Sequence, residues 1–273
     1  MAIDALPSLP SDLEPTRASL HAYARAVGAL PRVHANPHPL WWHTGLALGP
    51  TGLTTAQMAL PGGGFAAARI DFTSDDVVLA TSTGEAGRWS MRRGMTGTEM
   101  AEAILASAAD LGLEGDYDRE RFTNDGPRAY DPEVAAASFT TLLGVRDVFE
   151  RHLAELPGAV SPIHLWPHGF DLAFDWIGTR TVRSDAGADD SAHPATLNLG
   201  FYPEGRAYFY SNPWPFESAL GEVALPSGAD WHRDGWEGSI LYFDQVAGRP
   251  GGAADVLAYA RAVFEAAAPT LTA

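Results

Sequence analysis

The sequence predicts an α+β protein made of two pseudo-equivalent halves of mainly antiparallel sheet flanked by helices. Two observations carry this. Strand-like segments come in runs between helical ones rather than alternating with them one by one, which argues against a doubly wound parallel sheet. A short aromatic motif also recurs at a fixed offset of 125 residues, which points to an internal duplication.

Four helices follow from 3.6-residue periodicity. The first, about 16–30, carries Leu20, Tyr23, Val27 and Leu30 on one stripe. The second starts after Thr96, which forms a capping box with Glu99; it carries Met100, Ile104, Leu105 and Ala108, and Gly112 suits its C-terminal cap. The third opens at Asp131-Pro132, an N-cap followed by proline at the first helical position, and Pro157-Gly158 ends it. The fourth, 255–268, turns Val256, Ala260, Val263, Phe264 and Ala267 inward. Strands are expected over 44–48, 53–60, 65–72, 77–81, 88–91, 170–177, 196–202, 207–211 and 239–245. Leu197, Leu199 and Phe201 alternate there with Thr196, Asn198 and Gly200.

The repeat is Asn36-Pro37-His38-Pro39-Leu40-Trp41-Trp42-His43 against Ser161-Pro162-Ile163-His164-Leu165-Trp166-Pro167-His168. Pro, Leu, Trp and His coincide in one register. The chain is therefore read as a single unit over 1–273 with a duplication, 13–113 and 132–270, joined by a solvated linker, 114–131. The acidic stretch 183–193 reads as a surface loop.

Composition narrows the chemistry. The 273 residues include 46% hydrophobic and 19% charged, a packed globular balance. The net charge of −16 repels phosphate backbones, so no nucleic acid is expected as a partner. There is no Cys, which removes thiol nucleophiles and Cys-based metal sites, and all 18 basic residues are Arg, which removes Schiff-base lysines. With no signal-like start and no apolar run of spanning length, the expected setting is cytoplasmic with no membrane partner. No dinucleotide, Walker, zinc-protease or nucleophile-elbow motif is present. The sequence names no cofactor and no oligomeric state.

Rare side chains concentrate at a few places. His43 and His168 occupy equivalent repeat positions, and Asp171 sits one step inside the strand after His168. A second cluster holds Trp231, His232, Asp234 and Trp236. The candidate catalytic residues are His168, Asp171, His43 and His232. The candidate substrate-binding residues are Trp41, Trp166, Arg180, Trp231 and Trp236. The site is expected where the halves meet. Imidazole suits proton transfer near neutrality, Asp171 could orient it or act as base, and Arg180 could clamp a carboxylate. Three readings compete: an enzyme using His/Asp acid–base chemistry on a small molecule, a non-catalytic small-molecule binder, and a structural or interaction module. Metal assistance by His43, His168 and His232 is a variant of the first.

In combination, Leu165-Trp-Pro-His-Gly-Phe-Asp-Leu-Ala173, Tyr208-Phe-Tyr-Ser-Asn-Pro-Trp-Pro215 and Trp231-His-Arg-Asp-Gly-Trp-Glu-Gly238 resemble motifs of uncharacterised bacterial proteins grouped as a domain of unknown function. His38-Pro-Leu-Trp-Trp-His43, Ala129-Tyr-Asp-Pro132 and Leu199-Gly-Phe-Tyr-Pro203 belong to the same resemblance, which covers about 16–268. It implies one compact unit and brings no reaction. Gly169 departs from it, standing where a second polar residue, often His, is expected; that argues against a two-histidine metal site there.

Overall fold

The computed structural model describes residues 3–183 and 192–273. It contains helices α1 (Leu13–His34), α2 (Gly97–Asp110), α3 (Pro132–Leu153) and α4 (Gly252–Ala267). The strands are β1 (Leu46–Leu48), β2 (Gly52–Thr54), β3 (Met58–Ala59), β4 (Phe65–Asp71), β5 (Asp76–Thr81), β6 (Gly84–Ser90), β7 (Ala159–Val160), β8 (His164–Trp166), β9 (Asp171–Arg183), β10 (Ala192–Tyr202), β11 (Tyr208–Ser211), β12 (Pro213–Trp214), β13 (Asp230–His232) and β14 (Gly238–Tyr242). Every ladder whose register is defined is antiparallel. The class is α+β, as the clustering of strand patterns implied. The acidic stretch expected as a loop falls, apart from its ends, outside the described residues.

Contacts divide the chain into two compact units. The first to be described comprises residues 9–141 with 164–171. Its strands run in the order β8-β1-β2-β4-β5-β6, with β3 on β4. Leu46 lies opposite Leu165, and Leu53 opposite Ile70. The buried face is Leu46, Leu53, Ala68, Ile70, Val77 and Leu79, covered by Leu20, Tyr23, Val27 and Leu30 of α1 and Met100, Ile104 and Ala108 of α2. Helix α2 carries the expected capping box: the Glu99 amide donates to the Thr96 hydroxyl and the Thr96 amide to the Glu99 carboxylate. At its other end the Leu113 amide reaches the Ala108 carbonyl and Gly112 that of Ala109, with Gly112 at φ +82°, a Schellman closure.

Helix α1 outruns its expected end at Leu30. Pro31 removes one amide donor but lies buried within the last turn, and the Ala35 amide closes that turn on the Pro31 carbonyl. The extra turn places Arg32 at the helix C-terminus, where a cation complements the helix dipole. The expected strand 53–60 is split into β2 and β3. Thr54 pairs with Arg69, but Met58 pairs with Ala66, so the register slips by one. Between them the Thr55 hydroxyl accepts the Ala68 amide in place of a backbone carbonyl.

A buried polar knot ties β5 to the chain before α3. Asp75 sits at φ 57° and is buried. Its carboxylate accepts the Tyr130 hydroxyl at 2.7 Å and Arg92 at 2.6 and 3.0 Å. Burial, and then the bond to Asp75, push the Tyr130 phenol up. Asp75→Ala removes the acceptor of a half-buried hydroxyl and puts Ala in the left-handed region; we expect a loss of about 2–4 kcal/mol. Asp75→Asn keeps an acceptor and a residue that tolerates that backbone, and should lose about half as much. Urea unfolding of the two variants decides it: equal losses would mean that the knot is not what Asp75 supplies.

The second unit comprises residues 1–8, 142–163 and 172–273. Its strands run β13-β14-β11-β10-β9, with β12 on β10 and β7 on β9. Leu197, Leu199 and Phe201 are buried as the alternation required. Gly200 is buried on the opposite face because the Tyr210 ring of β11 lies where its Cβ would stand. Helix α4 packs Val256, Leu257, Tyr259, Ala260 and Val263 on the sheet, and Val145, Val148 and Phe149 of α3 join them. The Tyr259 hydroxyl and that of Ser239 are 2.8 Å apart, fully inside.

Candidate functional site

The site of the first unit begins with the sequence of α1. Arg25, Gly28, Ala29 and Arg32 recur at i, i+3, i+4 and i+7, so they share one face of the helix. That face is a shelf of two small residues between two guanidinium groups. Opposite it lie Tyr117, Asp118, Arg121 and Phe122 from the segment between α2 and α3, and Pro167 and His168 from the turn after β8. Together with Thr44 and Val33 they enclose a cleft of about 180 Å³. Gly28 lets the Pro167 turn approach α1 closely: a Cβ there would lie 3.0 Å from the Pro167 ring, which would have to give way.

The turn that presents His168 is set by its own residues. The Phe170 amide donates to the Trp166 carbonyl at 2.8 Å, and Phe170 adopts φ 56°. A bulky residue is strained in that region, and it is held by burial and by the His21 ring, 5.8 Å away. The His21 Nε2 donates to the His168 carbonyl at 3.0 Å. Gly169 leaves room for Asp171, whose Oδ1 would lie 2.5 Å from a Cβ at that position.

Beside the cleft, Trp41 at φ 60° precedes a 3-10 turn, Trp42–Thr44. The expected strand therefore starts only at Leu46. The His43 Nδ1 accepts the His38 amide at 3.0 Å, and the His38 ring stacks on Trp42 at 4.1 Å. These local bonds hold the chain in a turn where apolar alternation suggested a strand. Burial, and then Arg32 and His38, hold the His43 pKa below its ordinary value. Trp41 is 55% exposed, and the Arg32 guanidinium lies 5.1 Å from its ring centre. Trp166 is half-buried, with its ring 6.2 Å from that of His168.

Of the residues singled out from the sequence, His168 lines the cleft; Trp41, His43, Trp166 and Asp171 belong to the same unit. Asp171 is buried at the start of β9. Arg180, Trp231, His232 and Trp236 belong to the other unit and form their own contacts. Arg180 is engaged by Glu217 at 2.8 Å and by the Thr270 carbonyl. The Trp231 indole donates to the Val223 carbonyl, and His232 donates to the Asp234 carbonyl while lying 4.4 Å from the Trp236 ring. Trp236 in turn meets Tyr208 and Tyr210 on the outer face of β11. Among the described residues no group of three or more His, Asp or Glu side chains could hold a metal ion.

Sequence reasoning missed Arg25, Arg32, Tyr117, Arg121 and Phe122. The heptad spacing of Arg25 and Arg32 around Gly28-Ala29 was the available signal. The 114–131 segment, expected as a solvated linker, supplies the facing wall. There the Tyr117 hydroxyl donates to the Leu113 carbonyl and lies 2.6 Å from His34 Nε2.

Fold and cleft together define an α+β protein with a pocket of small-molecule size in one of its two units. The chain belongs to the family described as a family of unknown function (DUF5996), which it matches over residues 6–272. No curated protein and no solved structure matches it. Among the described residues no helix is long and apolar enough to cross a membrane.

Proposed function

We propose that the protein binds a small organic molecule in the cleft between α1, the 117–122 segment and the turn at Pro167-His168. One observation carries this: a concave site of about 180 Å³ whose apolar floor (Ala29, Phe122 and Pro167) is rimmed by convergent polar groups. That combination is what ligand sites share. An apolar cavity of ~150 Å³ already holds a benzene ring, so the ligand is a single ring or a comparably small body.

The position of His168 on the cleft wall supports acid–base chemistry on that ligand as the second reading. Asp171, three residues further along the chain, is the carboxylate that this reading pairs with it. The net charge of −16 keeps nucleic acid and anionic membrane surfaces off the list of partners, and a cytoplasmic setting suits such a protein. The repeated Leu-Trp-x-His motif supports a duplicated origin for the chain.

Val33 stands on the rim and is exposed, so Val33→Trp plugs the mouth without entering the core. In a ligand-observed NMR screen of single-ring fragments, several should bind the native protein. Val33→Trp should abolish this binding with its melting temperature unchanged. A screen without binders, or binders indifferent to the plug, would refute the cleft as the site.

A further inference from the structure

The cleft carries a charge pattern opposite to that of the chain around it. Three guanidinium groups, Arg25, Arg32 and Arg121, face one carboxylate, Asp118, in a protein of net charge −16. The carboxylate is already used: its Oδ2 accepts Arg121 Nε at 2.7 Å. Arg25 is held by the carbonyls of Arg121 and Glu120. Arg32 differs from both. Its guanidinium makes no hydrogen bond and no ion pair among the described residues, and it lies against the face of Trp41. Burial and the neighbouring Arg121 charge press its pKa downward, and the Asp118 carboxylate opposes them. Its donor groups reach solvent and are committed to no protein acceptor, so an acceptor that enters the cleft can take them.

Resting on the small-molecule reading above, we propose that the ligand is an organic anion: a single ring or short apolar body bearing one carboxylate or phosphate group, which Arg32 grips. The guanidinium fork matches either anion with two parallel charge-assisted bonds. The neighbouring charges of Arg25 and Arg121 reinforce the field, while the Gly28-Ala29 shelf, Phe122 and Pro167 take the apolar body. Thr44 and His168 remain at the wall to select among anions by hydrogen bonding. Trp41, held at φ 60°, backs the Arg32 guanidinium and leaves its donor edges for the ligand.

The test titrates the full chain with benzoate, phenyl phosphate, benzamide and benzyl alcohol, reading dissociation constants by calorimetry and ligand-observed NMR. Arg32→Gln is compared with Arg93→Gln, an exposed arginine outside the cleft. We expect at least one anion to bind roughly tenfold or more tightly than the neutral compounds, and more weakly as salt rises. Arg32→Gln should remove that advantage while leaving neutral binding in place, and Arg93→Gln should change nothing. Whichever of benzoate and phenyl phosphate is preferred assigns the anionic group. Neutral compounds binding as well as anions, or anion binding indifferent to Arg32→Gln, would overturn the anion assignment and leave the cleft standing. Binding by none of the four would overturn the small-molecule reading and this inference with it.

Discussion

Between pH 6.5 and 4 the protein should lose on the order of 3 kcal/mol of stability for each of two buried histidines, His152 and His164. Both are buried, at 4% and 8% exposure, and the Nδ1 of each has no hydrogen-bond partner. Burial pushes each from its ordinary 6.5 to about 4. At His152, Glu155 opposes the shift and Arg261 adds to it. The direction of the linkage follows from proton counting. Well above pH 6.5 the imidazoles are neutral in both folded and unfolded chains and add no pH dependence. Below it the unfolded chain takes up protons that the folded chain refuses until about pH 4, so stability falls as pH falls through this window. At pH 5 the loss is about 2 kcal/mol per histidine.

Neutralising part of the −16 charge relieves self-repulsion and works the other way, so the clean readout is a difference between proteins. His152 lies against Phe174 and Phe264, and His164 against Gly45, so leucine suits both places. His152→Leu and His164→Leu should sit within about 1 kcal/mol of the native protein at pH 7, yet exceed it at pH 5. Urea unfolding at the two pH values checks this. Variants that fall with pH in parallel with the native chain would show that these imidazoles are protonated in the fold.

How much of this was legible depends on the range of the interaction that decides it. The capping box of Thr96 and Glu99 and the closure at Gly112 are settled within one turn, and the sequence states them outright. The alternation of Leu197, Leu199 and Phe201 needs only the pleat. The break between β2 and β3 was hidden, because it turns on a Thr55 hydroxyl meeting the Ala68 amide across a hairpin. The turn at Trp41 was hidden for a similar reason: His38 and His43 bond each other locally and outbid strand pairing. The cleft was half legible. Arg25, Gly28, Ala29 and Arg32 announce a shaped helix face. Nothing local shows that 117–122 and Pro167-His168 fold against it, since those contacts join segments far apart in the chain. Trp and His stand out in the sequence because they are rare. The structure puts His168 on the cleft wall beside three arginines, Arg25, Arg32 and Arg121, that look ordinary in the sequence.

The largest single-residue loss should come from the second unit, at Phe209. It is fully buried on β11, directly opposite Phe201 of β10 on one side and Leu241 of β14 on the other. Its ring lies 5.1 Å from Phe201, 5.9 Å from Phe243 and 6.1 Å from Phe149, the last edge to face. One side chain therefore joins three strands to helix α3, and its removal leaves a void that flanking strands cannot close without breaking their ladders. Phe209→Ala should cost about 3–5 kcal/mol, and Phe209→Leu, which keeps most of the volume, less than half of that. Tyr208, the next residue along β11, points to the opposite face and is half-buried among Tyr202, Tyr210 and Trp236. Tyr208→Ala should cost clearly less, because its cavity opens to water. Denaturant unfolding orders the three. Should Tyr208→Ala prove as damaging as Phe209→Ala, the outer aromatic face would have to be counted as core, and the row of Phe201, Phe209 and Leu241 could no longer be what holds this sheet to its helices.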